Sequence, residues 1–110
     1  MALKAKGTKI TMDAYDFGQI LPFELTELSL EPGDQIIFEL RKSKDTAPLI
    51  IKTYNNENAD TTSFQFFLSF TQKETSYLFP GNYVYYLRHL RNGELRDTLV
   101  TAEQFKIKNE

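Results

Sequence analysis

Cysteine and tryptophan are both absent from this 110-residue chain, and histidine occurs once, at His89. Without cysteine there is no disulfide framework, no thiol nucleophile and no thiolate metal site, and no signature of a redox compartment. Only carboxylates then remain to hold a metal. The candidate pairs, Asp13 with Asp16 and Glu57 with Asp60, lack the spacing of an EF-hand loop, although a calcium ion in a loop is the least excluded of the metal sites. The five glycines stand singly at turns, so no phosphate-cradling loop is present. Triad chemistry needs a nucleophile presented to a histidine that an acid orients. No Gly-x-Ser-x-Gly elbow accompanies His89, which reads as a mid-strand residue in phase with Tyr85 and Leu87. An enzyme is therefore not expected, and neither is a cofactor or a catalytic residue.

Charge of one sign is also lacking. Lys and Arg number 13 against 15 Asp and Glu, for a net charge of -2. The cations are spread over 4–9, 41–44, 88–96 and 106–108, each group near acids, which describes a solvated mixed surface. That balance argues against nucleic acid or an anionic membrane as a partner. Met1 to Gly7 is positively charged but no apolar stretch follows it, so it does not read as a signal peptide. No run approaches the roughly 18 apolar residues of a membrane helix, and Phe66 to Phe70 is interrupted by Ser69. A cytoplasmic location at synthesis is the expectation.

What the chain has in quantity is strand-forming aromatic residues: nine Phe and six Tyr, 14% of the whole. Its length fits one domain that buries roughly two thirds of its unfolded surface. Residues 1–8 are Lys-rich and aperiodic, a loose lead-in, and residues 9–110 form the domain. Ile10, Met12 and Ala14 alternate with polar residues as a first strand. Tyr15 to Gly18 breaks it. Phe23 and Leu25 are in one phase and Leu28 and Leu30 in the other, which implies a bulge or a change of partner near Thr26. Glu31-Pro32-Gly33-Asp34 is a turn, followed by a strand with Ile36, Phe38 and Leu40 on one face. After the polar 42–46 loop, Pro48 opens another strand to Tyr54, and Asn55 to Asp60 is loop. Phe64, Phe66, Leu68 and Phe70 hold strict period two. Thr71-Gln72-Lys73-Glu74 matches the capping box and predicts one helical turn over 72–77.

The most strongly specified stretch is 78–100. Asn92-Gly93 has the composition of a two-residue hairpin turn, in which both central residues take positive φ. The register that follows sets Arg91 opposite Glu94, Leu90 opposite Leu95, Arg88 opposite Asp97, Tyr86 opposite Leu99 and Tyr85 opposite Val100. A last strand resumes after Ala102-Glu103-Gln104 with Phe105 and Ile107 in phase. Leu78, Pro80, Gly81 and Tyr83 resemble a tyrosine corner, in which the phenol bonds back to backbone across a crossover between sheets. The whole predicts an all-β fold, an immunoglobulin-like Greek-key β-sandwich of seven or eight strands with one short helical turn.

Gly33-Asp34-x-Ile36-x-Phe38, Pro48 to Lys52, Phe64-x-Phe66-x-Leu68, Pro80-Gly81-x-Tyr83-x-Tyr85, Asn92-Gly93 and Phe105-x-Ile107, in that order, resemble small immunoglobulin-like modules of phages and prophages of Gram-positive bacteria. The N-terminal domains of baseplate upper proteins are examples. The resemblance spans about 10–108 and implies a virion structural or accessory protein of the tail, baseplate or head decoration, without catalysis. Such proteins usually carry further domains, and 110 residues accommodate one. The partners implied are protein subunits of the assembly or a second copy, with the virion as final location.

The candidate partner-binding residues are aromatics out of phase with the core: Phe67 against Phe66, Tyr86 against Tyr83 and Tyr85, and Tyr15 and Phe17 in a loop. Covering loops would account for them. The functional reading is an exposed patch that a partner buries. Rings that stack on sugar, in a carbohydrate- or cell-surface-binding sandwich, form the alternative, against which stands the absence of Trp.

Overall fold

The computed structural model describes residues 3–6, 9–14, 20–26, 29–57 and 62–109. Along them run β1 (Leu3–Lys6), β2 (Lys9–Asp13), β3 (Ile20–Leu25), β4 (Gln35–Arg41), β5 (Pro48–Asn55), β6 (Phe64–Ser69), α1 (Gln72–Thr75), β7 (Gly81–Arg91) and β8 (Glu94–Lys108). The chain is all-β, as its alternation predicts. Among the described residues six strands form one sheet in the order β1-β2-β8-β7-β4-β5, and β3 with β6 forms a second. Of these neighbours β2 and β8 run parallel and the others antiparallel.

Period-two patterning decides which face is which. Ile36, Phe38 and Leu40 of β4, Tyr85 and Leu87 of β7, and Phe105 of β8 are fully buried, and Leu21, Phe66 and Leu68 of the small sheet close over them. The rings interlock across the two sheets. Phe23 stacks on Phe66 at 4.9 Å and meets Tyr85 edge-on at 6.4 Å, and Tyr54 lies 4.4 Å from Phe66. Each such side chain withdrawn from water contributes about 1.5–3 kcal/mol, with offset or edge-on ring geometry adding to it.

The local signals fold as expected. Gly33 has φ 89°, and the Asp34 N–H donates to the Glu31 carbonyl at 3.1 Å, closing the Pro-Gly turn. Thr71 Oγ1 accepts from the Glu74 N–H at 3.2 Å while Glu74 Oε1 accepts from the Thr71 N–H at 2.8 Å, completing the capping box. The helical turn ends at Thr75, two residues before the expected limit. The Tyr83 hydroxyl donates to the Phe79 carbonyl at 2.6 Å, spanning the Pro80-Gly81 corner. Tyr83→Phe should therefore lower the unfolding free energy by about 1 kcal/mol, the worth of one such bond. An unchanged thermal melt would mean the corner does not depend on it.

The hairpin keeps its expected turn but not its expected register. Asn92 and Gly93 take φ 54° and 78°, with Arg91 opposite Glu94 and Leu90 opposite Leu95. Beyond them Asp97 faces His89 rather than Arg88, Thr98 faces Arg88, Val100 faces Leu87 and Glu103 faces Tyr85. Three register shifts, each placing one more residue on β8 than on β7, absorb the difference, and Ala102 of β8 takes φ 48°. Each extra residue bends the strand and raises its twist. β8 is consequently one continuous strand rather than two, and its far half delivers Phe105 opposite Tyr83 and Ile10, with Ile107 opposite Met12.

Two further corrections concern the N-terminal third. The expected lead-in over 1–8 contains β1, because the open backbone edge of β2 pairs with it from Leu3–Met12 to Lys6–Lys9. The parity change near Thr26 coincides with the end of β3 at Leu25, so the strand stops there; Leu28 lies outside the described residues.

Candidate functional site

Two of the four candidate residues, Phe67 and Tyr86, lie within the described residues, and they do not share a surface. Tyr15 and Phe17 lie outside the described residues. Phe67 is 56% exposed on the outer face of β6, because Phe66 and Leu68 on either side of it turn into the core. Tyr86 corrects the expectation of a bare ring. It sits on the outer face of the large sheet but is only 8% exposed, because the guanidinium groups of Arg41 and Arg88 stack over it at 5.3 and 4.8 Å from its centroid. Phe67 and Tyr86 thus belong to opposite outer surfaces of the two-layer structure.

A polar cluster that sequence reasoning missed lies at the end of β4 and β7. Asp34, 1% exposed, leaves the Pro-Gly turn pointing at β7, where His89 and Arg91 share the core-facing phase. His89 Nε2 lies 2.8 Å from Asp34 Oδ2 and acts as the donor, since a carboxylate only accepts. Arg91 donates from Nε at 3.0 Å to Oδ1 and from Nη2 at 2.9 Å to Oδ2, and the Glu31 N–H donates to Oδ2 at 3.0 Å. Arg91 holds the Asp34 carboxyl well below its ordinary value, against the opposing effect of burial and with help from Glu31 and His89. Arg91 Nη2 also reaches the Ser29 carbonyl at 3.1 Å, and Asn56 Nδ2 donates to the Glu31 carbonyl at 3.0 Å. The carboxylate is thus taken up by internal donors, and the arrangement clamps the turn onto the sheet. The available signal was a histidine and an arginine in the buried phase of β7, which together require a carboxylate.

The second feature is a hollow of about 480 Å³ beside β5. Leu49, Ile50 and Ile51 line one side, and Lys73 and Glu74 of the helical turn, with Tyr77 and Leu78 just beyond it, line the other. Ile50 turns inward with Lys52 and Tyr54, leaving Leu49 and Ile51 on the outer face, 53% and 59% exposed. Tyr77 is 67% exposed. Lys52 is tied to Glu74 at 2.7 Å; burial of Glu74 opposes that ion pair, yet Lys52 and the Thr71 N–H keep its carboxyl below the ordinary value. The helical turn is thereby fixed against β5. The run Leu49-Ile50-Ile51 was the legible signal, since alternation must turn part of any such run outward.

Among the described residues no group of three or more His, Cys, Asp or Glu side chains could hold a metal ion. No helix there is long and apolar enough to cross a membrane. Compared with protein-family models, curated proteins and solved structures, the chain gives no match.

Proposed function

We propose that this chain is a non-enzymatic docking module with an immunoglobulin-like sandwich, which works by protein–protein contact as a structural or accessory component of a phage or prophage particle. The strand order supports the fold part of this reading. β8-β7-β4-β5 corresponds to the G-F-C-C′ sheet of variable-type immunoglobulin domains and β3-β6 to the B-E pair, with Tyr83 near the start of the F-like strand. The observation that carries the functional part is the exposed apolar group formed by Leu49, Ile51 and Tyr77 around the β5 hollow. Apolar surface gathered at one place is the mark of a contact site, and the polar cluster at Asp34 is engaged internally. The particle assignment rests on the sequence resemblance over 10–108.

Particles purified after prophage induction of the strain that encodes the chain should contain it at a constant ratio to the other structural proteins, measured by mass spectrometry. Its absence from such particles, together with specific binding of the monomer on a glycan array, would replace this reading with the carbohydrate-binding one.

A further inference from the structure

Building on the docking reading, we infer that the partner seats an acidic side chain, an Asp or Glu flanked by apolar residues, against Arg88 on the outer face of the large sheet. Arg88 is held over Tyr86, 4.8 Å from the ring centroid, with 26% of its side chain exposed. Its Nε is buried without a hydrogen-bond partner, and its Nη2 stands 3.8 Å from Glu39 Oε1, beyond hydrogen-bond distance. Glu39 is engaged elsewhere: the same oxygen accepts from Arg41 Nε at 3.1 Å and from Arg41 Nη2 at 2.8 Å. One carboxylate thus stands between two guanidinium groups, and Arg88 is the cation left over. Native proteins rarely leave a buried donor unmet. An arginine fork already set in place by a ring is a receptor for a carboxylate, which it can bond through two N–H groups at once.

Beside Arg88 lies an open hollow of about 250 Å³ lined by Ile37, Glu39, Arg88, Leu90, Gly93 and Leu95. The register sets Arg88 opposite Ile37 and Leu90 opposite Leu95, so aliphatic side chains surround the guanidinium, and Leu95 is 57% exposed. Small-molecule sites run to about 300–1,000 Å³; this one is smaller, which suits a side chain projecting from a larger partner. Glu39 at its edge repels a second acid, so the complement is a single carboxylate with apolar neighbours. Capture of a chain terminus uses successive backbone N–H groups, whereas β4 and β7 are interior strands whose N–H groups serve their ladders. The hollow is also continuous with the exposed group on β5. Glu39 pairs with Tyr86 on one side and Ile51 on the other, and β5 to β8 is three strand spacings, about 14 Å. A partner of ordinary footprint, about 800 Å², covers both.

The test is an NMR titration of the whole chain with the acetylated, amidated peptide Ala-Leu-Glu-Leu-Ala, whose only carboxylate is the Glu side chain. The Arg88 Nε–H and the amides of Ile37, Leu90 and Leu95 should shift saturably, with a Kd on the order of 1 mM, the scale of a single contact group. The same peptide with Gln for Glu should bind at least about fivefold more weakly, because the charge-assisted bond is lost, and Arg88→Met should abolish the shifts. The melting temperature of Arg88→Met should not fall, since the substitution keeps the stem over Tyr86 and removes a buried donor that nothing meets. A fall of more than about 4 °C gives Arg88 a structural role and overturns the inference. Equal binding of the Gln peptide overturns it too. Tighter binding of Ala-Leu-Gln-Leu with a free C-terminus would make the source a chain end instead of a side chain. Shifts confined to Leu49, Ile51 and Tyr77, or none up to about twenty times the expected Kd, also overturn it while leaving the docking reading intact, because that reading stands or falls on the content of the purified particles.

Discussion

Asp34→Asn is expected to lower the unfolding free energy by about 3 kcal/mol at pH 7, measured by urea denaturation, because removing one partner of a buried charge cluster strands the rest. The replacement amide could accept fewer bonds, and it would present N–H groups to the guanidinium and imidazole donors that now converge on the carboxylate. The Asp34 side chain is 2% exposed but Arg91 beside it is 20% exposed, so water can partly rehydrate the arginine, and the loss should fall toward the lower end of what deeply buried pairs show. The pH dependence provides a second reading of the same bond. The folded-state carboxyl lies below its ordinary value of 3.8, so its stabilising contribution is complete above about pH 5 and declines as pH falls from there toward the depressed folded value. The stability gap between wild type and Asp34→Asn should narrow between about pH 5 and about pH 2.5. A gap constant over that interval would show that the carboxylate is not the source of the effect.

Phe38→Ala should cost more, about 4 kcal/mol, and lower the melting temperature by about 15 °C. Phe38 is fully buried at the centre of an aromatic cluster, with Tyr85 stacked at 5.6 Å and Phe70 and Phe105 each at 6.3 Å. Truncation removes the ring's transfer free energy, leaves a void that three rigid neighbours cannot fill, and abolishes their ring contacts. Phe67→Ala is the control. It deletes the same atoms from a side chain that is 56% exposed and should change stability by less than about 0.5 kcal/mol. Similar losses at the two positions in differential scanning calorimetry would contradict the assignment of inner and outer faces.

How far the structure could be read from the residues depends on the range of the interaction. The Asn92-Gly93 turn, the Thr71 capping box, the Pro32-Gly33 turn and the Tyr83 corner were legible because each is settled within a few residues, by a positive φ or by a short hydrogen bond. The core faces of β4 and β6 were legible because period two admits one solution. The hairpin register beyond Leu90 was not. The extra residues of β8 answer to β2, at the far end of the chain, which must receive Phe105 and Ile107 opposite Ile10 and Met12. β1 is illegible for a similar reason, since its pairing with β2 is a property of an open edge and not of its own composition.

The candidate site divides along the same line. That Phe67 points away from the core follows from parity alone, and the structure agrees. Parity also turns Tyr86 outward, but it could not show that Arg41, from a different strand, would close over the ring together with Arg88. The single histidine was visible as a residue without catalytic neighbours in sequence. Its actual neighbour, Asp34, lies 55 positions away and comes within 2.8 Å only because β4 and β7 are adjacent.

By itself, then, the sequence determined an all-β chain, its turns, its helical cap and the residues that face inward, because these depend on backbone dihedrals and on the alternation of side chains about a strand. Tertiary structure alone decided which strands became edges, where β8 bulges against β7, which carboxylate meets His89 and Arg91, and that Leu49, Ile51 and Tyr77 share one exposed hollow. Those outcomes are set by pairings between distant segments, whose free energy no local stretch of residues contains.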